Sequence, residues 1–140
     1  MSDNNNFGKS AIYFLQTAQW LNNEISRQLE PFDLTAQQLK ILSIIAMHPD
    51  QRASVNEIKA QMLDPMSNVS RLLNKLVDKK LIVKNRDQQD QRLVYIHITK
   101  AGIELMCAGK KAMDKGMAAF EKLEKIELDQ LTNLIQKLRE

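Results

Sequence analysis

The chain has 140 residues, with 20 Lys and Arg against 17 Asp and Glu and a single cysteine, which leaves room for one domain and not for two ordinary ones. Four Gly and three Pro are about 5% of the chain where average usage gives about 12%, which excludes a barrel or sandwich of many short strands, collagen and low-complexity disorder. Cys107 has no internal partner, so a disulfide scaffold is excluded and a reducing compartment is expected.

The start, Met1-Ser2-Asp3-Asn4-Asn5-Asn6, is polar and acidic, the opposite of an export signal. The most apolar stretch, Ile41 to Met47, is far short of the ~20 residues that span a bilayer, so no membrane partner and a cytoplasmic location are expected. From Phe7 onward apolar residues recur at Ala11, Phe14, Ala18, Leu21, Ile25 and Leu29, one helical stripe that Pro31 closes. Ile12, Leu15 and Trp20 widen the stripe, so cover on more than one surface is expected. Thr35-Ala36-Gln37-Gln38 fits a capping box and opens a second helix that stops before Pro49. After the polar loop Asp50-Gln51-Arg52, a second box at Ser54-Val55-Asn56-Glu57 opens a short helix with Val55, Ile58 and Met62 inward. Asp64-Pro65 reads as the start of the next helix, which buries Val69, Leu72, Leu73 and Leu76. Its other face is polar: Ser67, Asn68, Ser70, Arg71, Asn74 and Lys75, with Asp78 as the one acid.

Beyond Lys79-Lys80 the period changes from helical to alternating. Leu81-Ile82-Val83 and Leu93 to Ile98 are β-rich runs around the polar tip Asp87-Gln88-Gln89-Asp90-Gln91, flanked by Arg86 and Arg92. They predict a two-stranded hairpin as the only strands of substance. Thr99 caps a long helix carrying Ile103, Met106, Met113, Met117 and Phe120, and a last helix carries Leu128, Leu131, Ile135 and Leu138. The predicted fold is mainly α, six helices with a small β-wing.

Helix, short helix, polar-faced helix and charged hairpin in that order make a winged helix-turn-helix, whose partner is double-stranded DNA. The major groove admits one α-helix. Asn68 and Asn74 can pair bidentately with adenine, Arg71 with guanine, and Ser67 and Ser70 with bases or phosphates. Lys75, Lys79, Lys84 and Lys100 suit the phosphate backbone. Arg86 is placed on DNA with them, and Arg92, Gln89 and Gln91 suit a minor groove. Residues 52–100 hold ten Lys and Arg against five Asp and Glu, and the rest of the chain ten against twelve, so the positive charge lies in the lobe that would meet phosphates.

Residues Leu34 to Leu105 resemble the MarR family of bacterial transcriptional regulators. The resemblance rests on Leu34-Thr35 through Leu39 and Leu42, on Val69-Ser70-Arg71-Leu72-Leu73-Asn74-Lys75-Leu76, on the wing Asp87-Gln88-Gln89-Asp90-Gln91-Arg92, and on Thr99-Lys100-Ala101-Gly102. It implies a homodimer on pseudo-palindromic DNA, with residues 34–100 as the DNA-binding lobe and 7–33 and 101–140 as dimerisation helices. It implies recognition-helix contacts from Ser67, Asn68, Ser70, Arg71, Asn74 and Lys75, and a wing contact from Arg92. A repressor role and a small-molecule effector of unknown identity follow from the same resemblance. The family usually has glycine where Lys80 stands, and a left-handed Lys80 should cost about 1 kcal/mol or more. Gln89 and Gln91 stand where relatives often carry Arg or Lys.

Other residues support no competing chemistry. Asp87 and Asp90 read as braces of the wing, Asp90 through a nearby arginine, rather than as an acid/base pair or metal ligands. Cys107 is expected to be packed rather than redox-sensing, His48 and His97 structural, and Met106, Met113 and Met117 core rather than effector pocket. Gly102, Gly109 and Gly116, seven residues apart, fit either the close approach of another helix or chance. No nucleophile-base pair, phosphate loop or metal spacing is present, so neither an enzyme nor a cofactor is expected. The alternative is a winged-helix protein-interaction or non-specific nucleoid-type DNA-binding module.

Overall fold

The chain's own capping signals set most helix boundaries in the computed structural model, which describes residues 5–62 and 68–140. The first helix, α1 (Asn5–Leu29), runs into a 3-10 turn over Glu30–Phe32 with Pro31 in its first turn. Asp33 ends that turn in the left-handed region at φ 50°, its N–H donating to the Glu30 carbonyl at 2.9 Å. Thr35 then opens α2 (Ala36–Met47): its hydroxyl accepts from Gln38 N and its own N–H donates to Gln38 Oε1, both at 3.1 Å. Ser54 and Glu57 repeat the arrangement for α3 (Val55–Gln61), satisfying two free donors at each helix start.

The next helix, α4, covers Val69–Asp78, and its cap is Asn68. The expected start at Asp64-Pro65 lies outside the described residues. α4 closes with paired reverse bonds, Leu81 N to Leu76 O at 3.0 Å and Lys80 N to Val77 O at 2.9 Å. This is a Schellman ending, and it places Lys80 in the left-handed region at φ 63°.

The hairpin forms from β2 (Ile82–Arg86) and β3 (Val94–Ile98). A third strand corrects the two-stranded expectation: β1 (Arg52–Ser54) pairs with β3 so that Ala53 faces Ile96, and the antiparallel order is β1-β3-β2. Three residues are too few to display a period, and two of them were read as polar loop and cap. Only their partner strand makes them β.

The core surrounds α2. Leu29, Ile41, Leu42, Ile45, Ile58, Leu73, Leu76, Ile82 and Ile96 are fully buried, each contributing roughly 1.5–3 kcal/mol. On α1 the apolar stripe divides: Ile25 and Leu29 are buried against the chain, whereas Phe7 is 78% exposed and Phe14 46%. Ile12, Leu15 and Trp20 are likewise exposed within one chain.

The longest-range packing joins α1 to α5 (Lys100–Gly116). All three spaced glycines lie at close approaches, but only Gly116 meets the backbone of another helix, α1; Gly102 meets the turn after α4 and Gly109 the side chains of Leu34 and Leu39. A Cβ on Gly102 would lie 2.2 Å from the Leu81 carbonyl oxygen, on Gly109 2.9 Å from Leu34 Cδ2, and on Gly116 2.8 Å from Ile25 Cα. α5 is shorter than expected, because the chain leaves the helix after Gly116 and forms a 3-10 segment over Ala118–Lys122 that contains Phe120. The last helix, α6 (Lys125–Lys137), is preceded by a hydrogen bond from Glu124 N to Glu127 Oε1 at 2.9 Å. The described residues thus form six α-helices and one three-stranded sheet.

Candidate nucleic-acid interface

Val69, Leu73 and Leu76 anchor α4 in the core, and helical geometry therefore turns Ser70, Arg71 and Asn74 outward. Arg71 rises from the first turn of α4, exposed and with no described partner for its guanidinium. Ser70 lies exposed beside it. Ser67 lies outside the described residues. Asn68, expected to read bases with its whole carboxamide, is the helix cap: its Oδ1 accepts from Arg71 N at 3.0 Å. Asn74 is held from the wing, its Oδ1 accepting from Lys84 Nζ at 2.9 Å. Lys84 therefore braces α4 as well as adding charge. Lys75 faces elsewhere, lining a cleft between α4 and the α1–α2 junction.

The wing is a closed hydrogen-bonded loop. Asp87 N donates to Leu93 O at 2.9 Å and Leu93 N to Asp90 O at 3.0 Å, while Asp87 Oδ2 accepts from Asp90 N at 3.2 Å. Asp90 Oδ1 accepts from both the backbone N and the Nε of Arg92, each at 3.1 Å. The Arg92 guanidinium holds the Asp90 carboxyl below the ordinary aspartate range. Arg92 itself remains 91% exposed at the tip, a cation aimed into solvent from a rigid base. Arg86, expected to contact DNA, is exposed and also braces the wing. As the last residue of β2, opposite Val94, it reaches across the loop and donates from Nη1 to Gln91 O at 2.8 Å.

Three further features escape sequence reasoning because each joins residues of different elements. Lys79 Nζ bonds the Asp33 carbonyl and lies 3.3 Å from Asp33 Oδ2, fastening the end of α4 to the turn below α1. Arg52 on β1 stacks over the Tyr95 ring at 4.4 Å from its centroid. His48 Nε2 is 2.6 Å from Glu57 Oε2, tying the end of α2 to α3, and hydrogen bonds from Ser54 hold Glu57 below the usual glutamate range. The cleft beside Lys75 encloses about 850 Å³ and is lined by Arg27, Glu30, Asp33, Gln38 and Lys79 among others. Cys107 is exposed on α5, not packed as expected, because only every third or fourth residue of that helix meets α1 and α2. Met106 is buried, and Met113 and Met117 are half-buried against the core. No group of three or more His, Cys, Asp or Glu among the described residues could hold a metal ion, and no described helix is long and apolar enough to cross a membrane.

Comparison with known proteins places this arrangement. The family model for the transcriptional regulators SarA/Rot matches residues 24–109, from the buried end of α1 through the wing to the middle of α5. The HTH-type transcriptional regulator MgrA of Staphylococcus aureus is 26% identical over 140 residues, covering 99% of this chain and 93% of MgrA. Among solved structures, the S. aureus MepR–DNA complex superposes with a TM-score of 0.77 at 28% identity, covering 91% of this chain and 94% of MepR. A mutant of E. coli MarR complexed with operator DNA gives a TM-score of 0.79 at 21% identity, covering 96% of each chain, a likeness of fold. These relatives are regulators rather than enzymes. With a winged helix of MarR type and a family match over more than half its length, the chain belongs to the SarA/Rot family of transcriptional regulators.

Proposed function

We propose that the chain is a sequence-specific DNA-binding repressor that acts in the cytoplasm as a homodimer on a pseudo-palindromic site. In this reading residues 34–100 form the DNA-binding lobe, and residues 7–33 and 101–140 form the dimerisation helices. The observation that carries it is a division of surfaces. Arg71 and Asn74 are exposed on α4, Lys84 reaches Asn74 from β2 and Arg92 stands exposed on the wing, while the free half of α1 and the last helix expose Phe7, Phe14, Leu134 and Leu138. Those apolar residues line one open groove of about 1020 Å³ between α1 and α6, a contiguous exposed apolar surface of the kind that marks an interaction site. A second copy covers it and sets two α4 helices about 34 Å apart, one turn of DNA. The MepR–DNA complex, similar over most of both chains, supports the lobe's role.

The cleft between α1, α2 and α4 fits a small-molecule effector with polar groups, since Arg27, Glu30, Gln38 and Lys75 offer donors and acceptors to it. A ligand there moves α4 relative to α1 and weakens DNA binding, and by linkage DNA weakens the ligand equally.

Selection of bound sites from random duplexes at moderate salt tests the reading. The wild type should enrich a palindromic motif. Arg71→Ala should relax one position in each half-site and lose about 1–3 kcal/mol of affinity per site. Absence of any enriched motif for the wild type would refute sequence-specific binding, and an unchanged motif for Arg71→Ala would refute this placement of α4.

A further inference from the structure

Both asparagines on the proposed reading edge have their carbonyl oxygens engaged inside the protein. Asn68 Oδ1 accepts the Arg71 backbone N–H at 3.0 Å, and Asn74 Oδ1 accepts the Lys84 ammonium at 2.9 Å. The second contact follows from strand register. Ile82 and Lys84 are two residues apart on β2 and share a face of the sheet. Ile82 enters the core on that face, so Lys84, one step nearer the wing, reaches α4 at its outward edge.

This matters because the bases differ in what they ask of a carboxamide. Adenine presents N7 as acceptor and N6–H₂ as donor, so an asparagine pairing with it must offer one donor and one acceptor. Guanine presents N7 and O6, both acceptors. With Lys84 seated on Oδ1, adenine N6–H₂ would bring a second donor to an oxygen that already faces a full positive charge. The Nδ2 end is turned the other way and offers only N–H. Arg71 beside it is likewise a pure donor.

We infer that Lys84 is a positioning residue for base selection: it fixes the Asn74 carboxamide with its amino group outward and makes the pair it meets G·C rather than A·T. The inference rests on the proposed DNA-binding role and replaces the adenine contact expected from the sequence. A lysine that only met phosphate would add affinity to every sequence alike, whereas a lysine acting through Asn74 changes which base is preferred.

Site selection from random duplexes with four proteins separates these roles, and both side chains are exposed, so the substitutions leave the core intact. Asn74→Ala identifies the base pair concerned as the one whose preference it erases. At that pair the wild type should prefer G·C over A·T by roughly tenfold, within the range of one good base contact. Lys84→Met, which keeps the apolar stem and removes the ammonium, should shift the preference to A·T. Lys84→Arg should retain G·C. The inference is overturned if the wild type selects A·T there, if Asn74→Ala erases no position, or if Lys84→Met weakens all sequences equally without moving the preference. A wild type that enriches no motif overturns the DNA-binding reading and this inference together; a normal motif that Lys84→Met leaves unmoved overturns this inference alone.

Discussion

Lys80 occupies the residue position after α4 where the chain must turn left-handed, and at φ 63° it carries a Cβ into a region that glycine enters freely. Two reverse hydrogen bonds, from Lys80 N and Leu81 N, hold it there. They also deliver Leu81 and Ile82 to the core, both buried. The strain is therefore offset by the burial that follows the turn. Lys80→Gly should raise stability by about 1 kcal/mol and the melting temperature by about 3 °C, measurable by thermal unfolding; a lower melting temperature would show that the lysine side chain contributes more than its backbone costs. Asn68 and Asn74 show a limit of residue-by-residue reading. Their exposure and their place on an outward helix face were legible in the sequence, but not the partners of their oxygens. One partner is a backbone amide three residues on, and the other comes from a strand ten residues away.

Between elements, the most informative joint is where β3 hands over to α5. Thr99 Oγ1 caps α5 by accepting from Gly102 N at 3.0 Å and donates toward the carbonyls of Lys80 and Leu81 at 2.9 and 3.0 Å. Thr99 N also donates to Leu81 O at 3.0 Å. Gly102 leaves room for that same carbonyl. The spacing Thr99-x-x-Gly102, recognisable in the sequence, thus has a physical content: one residue binds the turn after α4 and the other makes space for it. Gly102→Ala gains about 1 kcal/mol in helix propensity and collides with backbone that cannot move aside. It should lose about 2 kcal/mol net, read as a lower urea midpoint; a neutral result would mean that the Leu81 turn yields. Helices announced by caps and periods were read from the sequence with little error: α2 and α3 open where Thr35 and Ser54 were expected to open them. β1 was missed because three residues have no pattern of their own, and the extent of α5 was overestimated because apolar spacing continued past Gly116 while the backbone did not.

At the scale of the molecule, the chain has one well-covered end and one open end. Around α2 and α4 most apolar side chains are enclosed, Met47 at the end of α2 excepted, whereas Phe7, Leu15, Leu134 and Leu138 stand open along α1 and α6. Under the proposed assembly, sedimentation at micromolar concentration should give twice the 16.1 kDa chain mass. Leu134→Glu, which places a charge in the apolar groove, should shift the species toward a single chain and remove palindromic binding with it; a stable wild-type monomer would sink the assembly. The divided stripe of α1 has a further consequence. Its C-terminal half is secured by contacts within one chain, through Ile25 and Leu29, and in the proposed homodimer its N-terminal half is covered by the second molecule. Order in that half is then governed by mass action, so dilution alone loosens the first helix from its free end inward.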